Sequence, residues 1–456
     1  MTRNSIRGPA RKGSRGAAAD MPWAEARALA AAVAGPLPPA EVPLAEAGGL
    51  RLAAPVRALA PIPGFDTAAM DGYAVAGPPP WRVVGSVLAG RVAHEGVLAP
   101  GTAVEIATGA EVPHGADAVL PVEGALRTGD LVRGEIARGR HIRPRGTDCP
   151  QGRDLVTAGA VVTPALLGLA ASVGHDTLTV HPPPRVAVLV TGDEVVSTGL
   201  PGRGRVRDAI GPMLPGLLSW SGARLVPAPL PDAAGLPGGD PGTAGSWPGR
   251  DADPPGRAPY AAGGGGAGRG GVAAGAEAPV VPWARVRDSV EALAAAVTAA
   301  GAAADVVVVC GASSKGPADH LRRVLADLGA EVLVAGVACR PGHPQVLARL
   351  PGGRVLVGLP GNPFAALVAA MTLLVPALRA LGGRTPPGAQ WSALAGDVRP
   401  HPALTRLVAV RRAEDAAVPV GHDRPGTLWG AALADALAVV PPGWGGAPVE
   451  LVELPS

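Results

Sequence analysis

The run Arg185–Val196 (RVAVLVTGDEVV) constrains what this chain can fold into more than any other stretch. Val186–Val190 is apolar and rich in β-branched residues, with prolines before it and Thr-Gly after it. That pattern predicts a buried strand opening into a polar turn that carries two adjacent carboxylates, Asp193 and Glu194. Two later stretches repeat it. Asp305–Val309 runs into Cys310–Gly316 (CGASSKG), and Arg354–Val357 runs into Gly358–Pro363 (GLPGNP) ahead of a long apolar helix. Three buried strands, each ending in a Gly-containing polar turn, predict an open parallel α/β sheet. Ligands bind beyond the carboxyl ends of such strands.

Around this sheet, 456 residues predict two to four domains. Met1–Asp20 is basic and lacks an apolar core, so it reads as a disordered tail and not a secretory signal. Residues 21–60 and 141–182 read as an N-terminal linker domain, with helices at Trp23–Ala34 and around Pro164–Val173. Short β-type runs recur within 61–140 and predict a small inserted β domain. Residues 183–382 form the α/β domain, with helices expected at Met213–Trp220, Trp283–Ala300 and Ala318–Leu328, and strands at Arg224–Pro227 and Val332–Cys339. Within it, 231–279 is a Gly/Ala/Pro-rich insertion that cannot bury enough apolar area to offset its ordering entropy, and it is expected to be disordered. The remainder, 383–456, predicts a C-terminal β domain. The fold class is therefore α/β plus β, multidomain.

Composition excludes several classes. The formal charge of +3 is small and spread along the chain, which gives no basis for nucleic-acid binding. Three cysteines without CxxC or His-rich company argue against a disulfide framework or structural zinc, and fit a reducing compartment. The apolar stretch Phe364–Leu378 contains Thr372 and Pro376, is short for a membrane span, and reads as a buried helix.

The polar turns carry the candidate chemistry. Thr191–Glu194 sets a hydroxyl, a glycine and two carboxylates at a strand end, where Asp193 or Glu194 could hold a hard cation or, alternatively, Asp193 could cap a helix. GLPGNP allows close backbone approach, and the helix that follows would turn N–H groups toward an anion. An ordinary strand-to-helix turn is the competing reading. RPGHP (Arg340–Pro344) places a planar cation, Arg340, and His343 after another strand. Asp66 and Asp71 flank a turn-like loop, while Asp148, Asp208 and Asp319 are single carboxylates that could each be a cap. Together these residues describe a site for a phosphate-bearing anion with a divalent metal.

At these same positions the chain resembles the molybdopterin molybdenumtransferase family, which includes the C-terminal domain of gephyrin. PGFDTAAMDGYAV (Pro63–Val75), EIATGAEVPHGADAVLPVE (Glu105–Glu123), IRPRGTD (Ile142–Asp148), TGDE and GLPGNP match that family's motifs in order, from about Trp23 to Leu454. Three stretches depart from it: CGASSKG stands where the family has SGGxSxG, RPGHP where it has KPGKP, and Asp208-Ala209-Ile210, without the amide, where it has a DTN-type triplet. The resemblance implies Mg2+-dependent insertion of molybdate into adenylylated molybdopterin with release of AMP, in a cytoplasmic homodimer with no membrane attachment. The molybdopterin adenylyltransferase is implied as a further partner. It also implies Asp71 and Glu194 as catalytic residues, with Asp71 reaching the sheet-domain site of the other subunit. Thr108, Asp148, Thr191, Asp208, Ser314, Asp319, Arg340, His343, Pro360 and Pro363 are implied as substrate-binding, and Asp193, Glu194 and Asp208 as metal ligands. The altered turns favour an alternative, a paralogue that binds molybdopterin or serves as a scaffold without turnover.

Overall fold

The computed structural model describes residues 20–90, 96–231, 283–311 and 320–455. The expected disordered tail and insertion (1–19 and 232–279), and with them Ser314 and Asp319, lie outside the described residues. The chain divides into two compact units, Met1–Leu37 with Pro183–Ser456, and Pro38–Pro182.

The first unit is built on a seven-stranded sheet. The strand Arg185–Thr191 lies parallel to Val306–Cys310, and that strand lies parallel to Val355–Leu359. Register aligns Val190, Cys310 and Leu359 across the three, so the polar turns all begin at one edge. Arg224–Leu225 and Ala284–Val286 add in parallel to the other side of Arg185–Thr191. Val346–Arg349 pairs antiparallel with Val355–Leu359, so the sheet is mixed at that end, not wholly parallel as expected.

Both faces of the sheet are covered, which is why its strands are continuously apolar and not alternating. Val186, Val188, Val308, Cys310 and Val357 pack on one side with Leu214, Leu218 and the helix beginning at Pro363. Ala187, Leu189, Val307, Val309 and Leu356 pack on the other with the helices Val290–Ala303 and His320–Asp327. Pro363–Leu381 is long and apolar enough to cross a membrane, but 89% of its apolar window is buried inside the protein. It is a core helix, interrupted by a π-turn at Ala370–Leu374.

Several expectations change. The helix Trp23–Ala31, expected in the linker domain, belongs to the sheet unit, where Trp23 Nε1 donates to Thr372 Oγ1 at 3.0 Å and Arg27 to Met371 O at 2.7 Å. Its small Ala26 and Ala30 faces let it lie against the core helix. The expected helix at Trp283 instead starts as the strand Ala284–Val286, and helix begins only at Val290, where Ser289 caps it by accepting from Ala292 N–H. The expected strand Val332–Cys339 splits in two. Glu331–Val334 stays in the large sheet, whereas Cys339–Arg340 joins the C-terminal six-stranded sheet beside Thr405–Arg412.

The second unit holds a six-stranded sheet, Trp81–Val87 and Thr102–Ile106 among its strands, and a three-stranded sheet formed by Ala40–Pro43, Thr177–His181 and Arg51–Leu52. Its apolar side chains form separate clusters, one around Leu52, Leu166 and Leu178, others around Val104, Val119 and Trp81.

Candidate active site at the strand ends

At the carboxyl edge of the large sheet the turns interlock. The Thr191 hydroxyl donates to the Cys310 carbonyl at 3.0 Å, tying the first turn to the second. Gly311 has φ +92°, and a Cβ there would stand 2.9 Å from the Thr191 carbonyl, so close approach and backbone angle both require glycine. Gly361 in turn approaches the Cα of Gly311. Pro360 is buried and Pro363 partly so. Asn362 forms the N-cap of the following helix, but the Phe364 N–H donates to Pro425 O at 2.9 Å. That donor is spent on the protein instead of facing an anion, and a loop of the C-terminal sheet is thereby brought to the turn.

The acidic turn is not a helix cap. Val195–Val196 pairs with Val206–Arg207 as a short parallel ladder, and the Asp193 carboxylate accepts from the Asp288 N–H at 3.3 Å. Sequence reasoning missed Asp288, which the structure sets beside the turn with His320 3.8 Å away. Burial holds the Asp288 carboxyl above its usual range; His320 opposes the shift, while the charges of Asp193 and Glu194 add to it. Like charges thus gather beside Asp288 at this turn. Among the described residues no group of three or more His, Cys, Asp or Glu forms a ready-made metal cage.

Asp208 is therefore not drawn into one ligand set with Asp193 and Glu194. It is buried, and its Oδ1 accepts from the Ile210 and Gly211 N–H groups at 3.0 and 2.9 Å. Its charge acts instead on the Cys310 thiol, which burial first of all, and Asp208 second, push far above the usual thiol range. Cys310 is inert at neutral pH.

In RPGHP, Gly342 packs on the core helix, where a Cβ would stand 3.2 Å from Ala365 O. Arg340 is exposed. His343 Nε2 lies 2.6 Å from Asp20 Oδ2, so its imidazole is engaged by the protein's own chain.

In the Pro38–Pro182 unit the three motifs converge as a loop cluster. Asp71 Oδ1 accepts from both the backbone N–H and the hydroxyl of Thr108, at 2.6 and 2.9 Å, and these bonds, the backbone one first, hold its carboxyl below the usual range. Asp66 Oδ1 accepts from Arg145 N–H at 2.7 Å, and Asp148 N–H donates to Ile62 O at 3.0 Å, binding the third motif to the first. Asp71, Thr108 and Asp148 are exposed.

A family profile described as "MoeA N-terminal region (domain I and II)" matches residues 21–174, and one described as "Probable molybdopterin binding domain" matches 272–380. "Molybdopterin molybdenumtransferase 2" of Mycobacterium tuberculosis is 32% identical over 368 residues, covering 76% of this chain and 76% of that protein. The chain belongs to the molybdopterin molybdenumtransferase family. "Molybdopterin molybdenumtransferase" of Bacillus subtilis is 27% identical over 84% of this chain and 81% of its own length. A crystal structure of the molybdopterin biosynthesis MoeA protein from Pyrococcus horikosii superposes with a TM-score of 0.71 at 26% identity, covering 95% of this chain and 99% of that one.

The two family profiles take in Asp71, Thr108 and Asp148 on one side and Asp288, Arg340, His343, Pro360 and Pro363 on the other. Thr191, Asp193, Glu194 and Asp208 fall between them, and it is the sheet register that brings Thr191 to the strand end containing Cys310.

Proposed function

We propose that this chain carries out the family's reaction in molybdenum cofactor biosynthesis, inserting molybdate into adenylylated molybdopterin with release of AMP, in the cytoplasm and as a homodimer. The observation that carries the reading is the in-register strand end. Thr191, Gly311 and the GLPGNP turn are locked together there, beside the crowded carboxylates Asp193, Glu194 and Asp288.

Mg2+ keeps several waters and is held by one or two carboxylates together with substrate phosphates. Asp193 and Glu194 would hold it, with Asp288 alongside, and it would supply charge neutralisation at the phosphoanhydride. The chain's own groups do the rest. The rigid turns, bare of side chains at Gly311 and Gly361, leave backbone within reach of a phosphorylated ligand. Arg340, exposed and fixed at a strand terminus, offers a planar cation to an anionic group. Asp71, held ionised by Thr108, acts in the reaction as a carboxylate and not as a proton donor.

The decisive measurement is AMP release from adenylylated molybdopterin on adding molybdate and Mg2+, which this reading expects and whose absence from a pterin-binding protein would overturn it. A second reading, a molybdopterin-binding paralogue without turnover, draws on one observation: the His343 imidazole is taken up by Asp20. The same measurement decides between them. The molybdopterin adenylyltransferase, as supplier of the substrate, is the protein partner this chemistry calls for.

A further inference from the structure

The segment Ala284–Ser289 grips the acidic turn at two points. The Asp288 backbone N–H donates to Asp193 Oδ1 at 3.3 Å, and the Arg285 guanidinium donates through Nη2 to the Val195 carbonyl. Arg285 is in register with Val190, so its guanidinium reaches the turn from the neighbouring strand end. The ladder to Val206–Arg207 takes the carbonyls on either side: Glu194 O accepts from Val206 N–H and Val196 O from Asp208 N–H, both at 3.0 Å. The Val195 carbonyl between them is outside this ladder, and Arg285 takes it.

This hold bears on the carboxylates. The Val195 N–H closes the turn on Gly192 O at 3.1 Å, and Gly192 has φ +114°, which favours glycine. A Cβ at Gly192 would stand 2.9 Å from Glu194 Oε2, so the Glu194 side chain folds back over the turn. Arg285 is partly buried, and its Nε–H is buried with no acceptor among the described residues. A buried donor without a partner costs free energy that an apolar side chain of the same length would avoid. The guanidinium is therefore a poor choice for stability alone, and its use lies in what it holds.

We propose that Arg285 is a positioning residue for the divalent cation: by fixing the Val195 carbonyl it sets the directions in which the Asp193 and Glu194 carboxylates point. Its positive charge by itself would weaken cation binding, so orientation and charge predict opposite effects of removing it. The proposal rests on the reading that Asp193 and Glu194 hold Mg2+.

The test uses the full chain as wild type, Arg285→Met and Arg285→Lys. Met keeps the length of the stem and removes both donor and charge. Lys keeps the charge and replaces the planar fork with a flexible point donor. The probe is Mn2+, a cation that takes the same oxygen ligands, titrated without substrate and read by loss of the free-ion paramagnetic resonance signal. Arg285→Met is expected to bind Mn2+ about tenfold more weakly. Its thermal midpoint should stay within about 2–4 °C of wild type. It should also need more Mg2+ for half-maximal AMP release while recovering the wild-type rate at saturating Mg2+. Arg285→Lys should fall between the two. Mn2+ binding by Arg285→Met as tight as wild type, or tighter, overturns the proposal. If Arg285→Met does not fold, Arg285→Lys decides: weaker binding than wild type supports the proposal and equal binding overturns it. A wild type that binds Mn2+ in this Arg285-dependent way yet releases no AMP leaves this proposal standing while the proposed function falls. A wild type that releases AMP without binding Mn2+ alone is judged by the Mg2+ requirement, which must rise in Arg285→Met. If wild type does neither, both fall.

Discussion

Asp71 and Thr108, 37 residues apart, are joined by two hydrogen bonds to one carboxylate oxygen, 2.6 Å from the Thr108 backbone N–H and 2.9 Å from its hydroxyl. One motif therefore sets the charge state of another. Thr108→Val removes the hydroxyl and keeps the backbone donor, which is the larger cause of the lowered pKa. The Asp71 carboxyl is expected to rise part of the way towards its ordinary value, as followed by carboxyl-carbon NMR titration. The sign follows from the shift: a lowered folded pKa favours the fold above the unfolded value, and that contribution disappears as pH falls through the folded pKa. An Asp71 titration identical in wild type and Thr108→Val would show that the hydroxyl plays no part.

Because Asp71 is exposed, Asp71→Ala should lower AMP release sharply while leaving the thermal midpoint nearly unchanged. Assay of turnover beside a thermal melt checks this. A collapse of the midpoint would mean that the residue supports its loop and not the reaction.

Asp288 carries the opposite shift. Its raised pKa comes from burial first, with His320 opposing and the Asp193 and Glu194 charges adding. The protonated form stabilises the fold at low pH, and that contribution is lost as pH rises through the raised pKa. Asp288→Asn should therefore raise the thermal midpoint near neutral pH without Mg2+, and raise it less below the ordinary carboxyl pKa of about 4. It should also reduce the further gain on adding Mg2+. Equal gains at both pH values would contradict a raised Asp288 pKa in the fold.

At the opposite edge of the sheet, Asp305 is structural. It accepts from the Arg185 backbone N–H at 2.9 Å and pairs with the Arg185 and Arg354 guanidinium groups at 3.1 and 3.3 Å. Burial alone would raise its pKa, but the Arg185 bonds and the two positive charges outweigh this and leave it lowered. Both arginines are 41% exposed and can turn to water, which limits the cost of losing the carboxylate. Asp305→Ala should destabilise by about 2–3 kcal/mol in denaturant unfolding, with AMP release per folded molecule unchanged. Loss of turnover at full stability would place Asp305 in the chemistry.

The sheet strands were legible because burial on both faces writes itself into the chain as runs such as Val306–Val309, all fully buried. Trp283 misled because an aromatic residue ahead of an Ala-rich helix continues its apolar pattern, while the break lies in the Ser289 cap and the pairing of Ala284–Val286 with Arg185–Thr191. Val332–Cys339 misled for a similar reason: one apolar run serves two sheets, and nothing local marks where it leaves the first.

The candidate site divides the same way. Asp193, Glu194, Thr191 and the glycines of GLPGNP were visible because turns at strand ends have a local signature in glycine, proline and carboxylate. Asp288 had none; it is 95 residues from the Asp193 carboxylate that accepts its N–H. The family resemblance implies His343 as substrate-binding, yet Asp20 engages it across 323 residues.

By itself the sequence determined the buried central strands and which turns can bear chemistry, because burial and backbone conformation act residue by residue. Only the tertiary structure decided which carboxylates act on one another and which donors are already spent. Those are properties of strand order and register, and residues brought together by pairing leave no trace in their spacing along the chain.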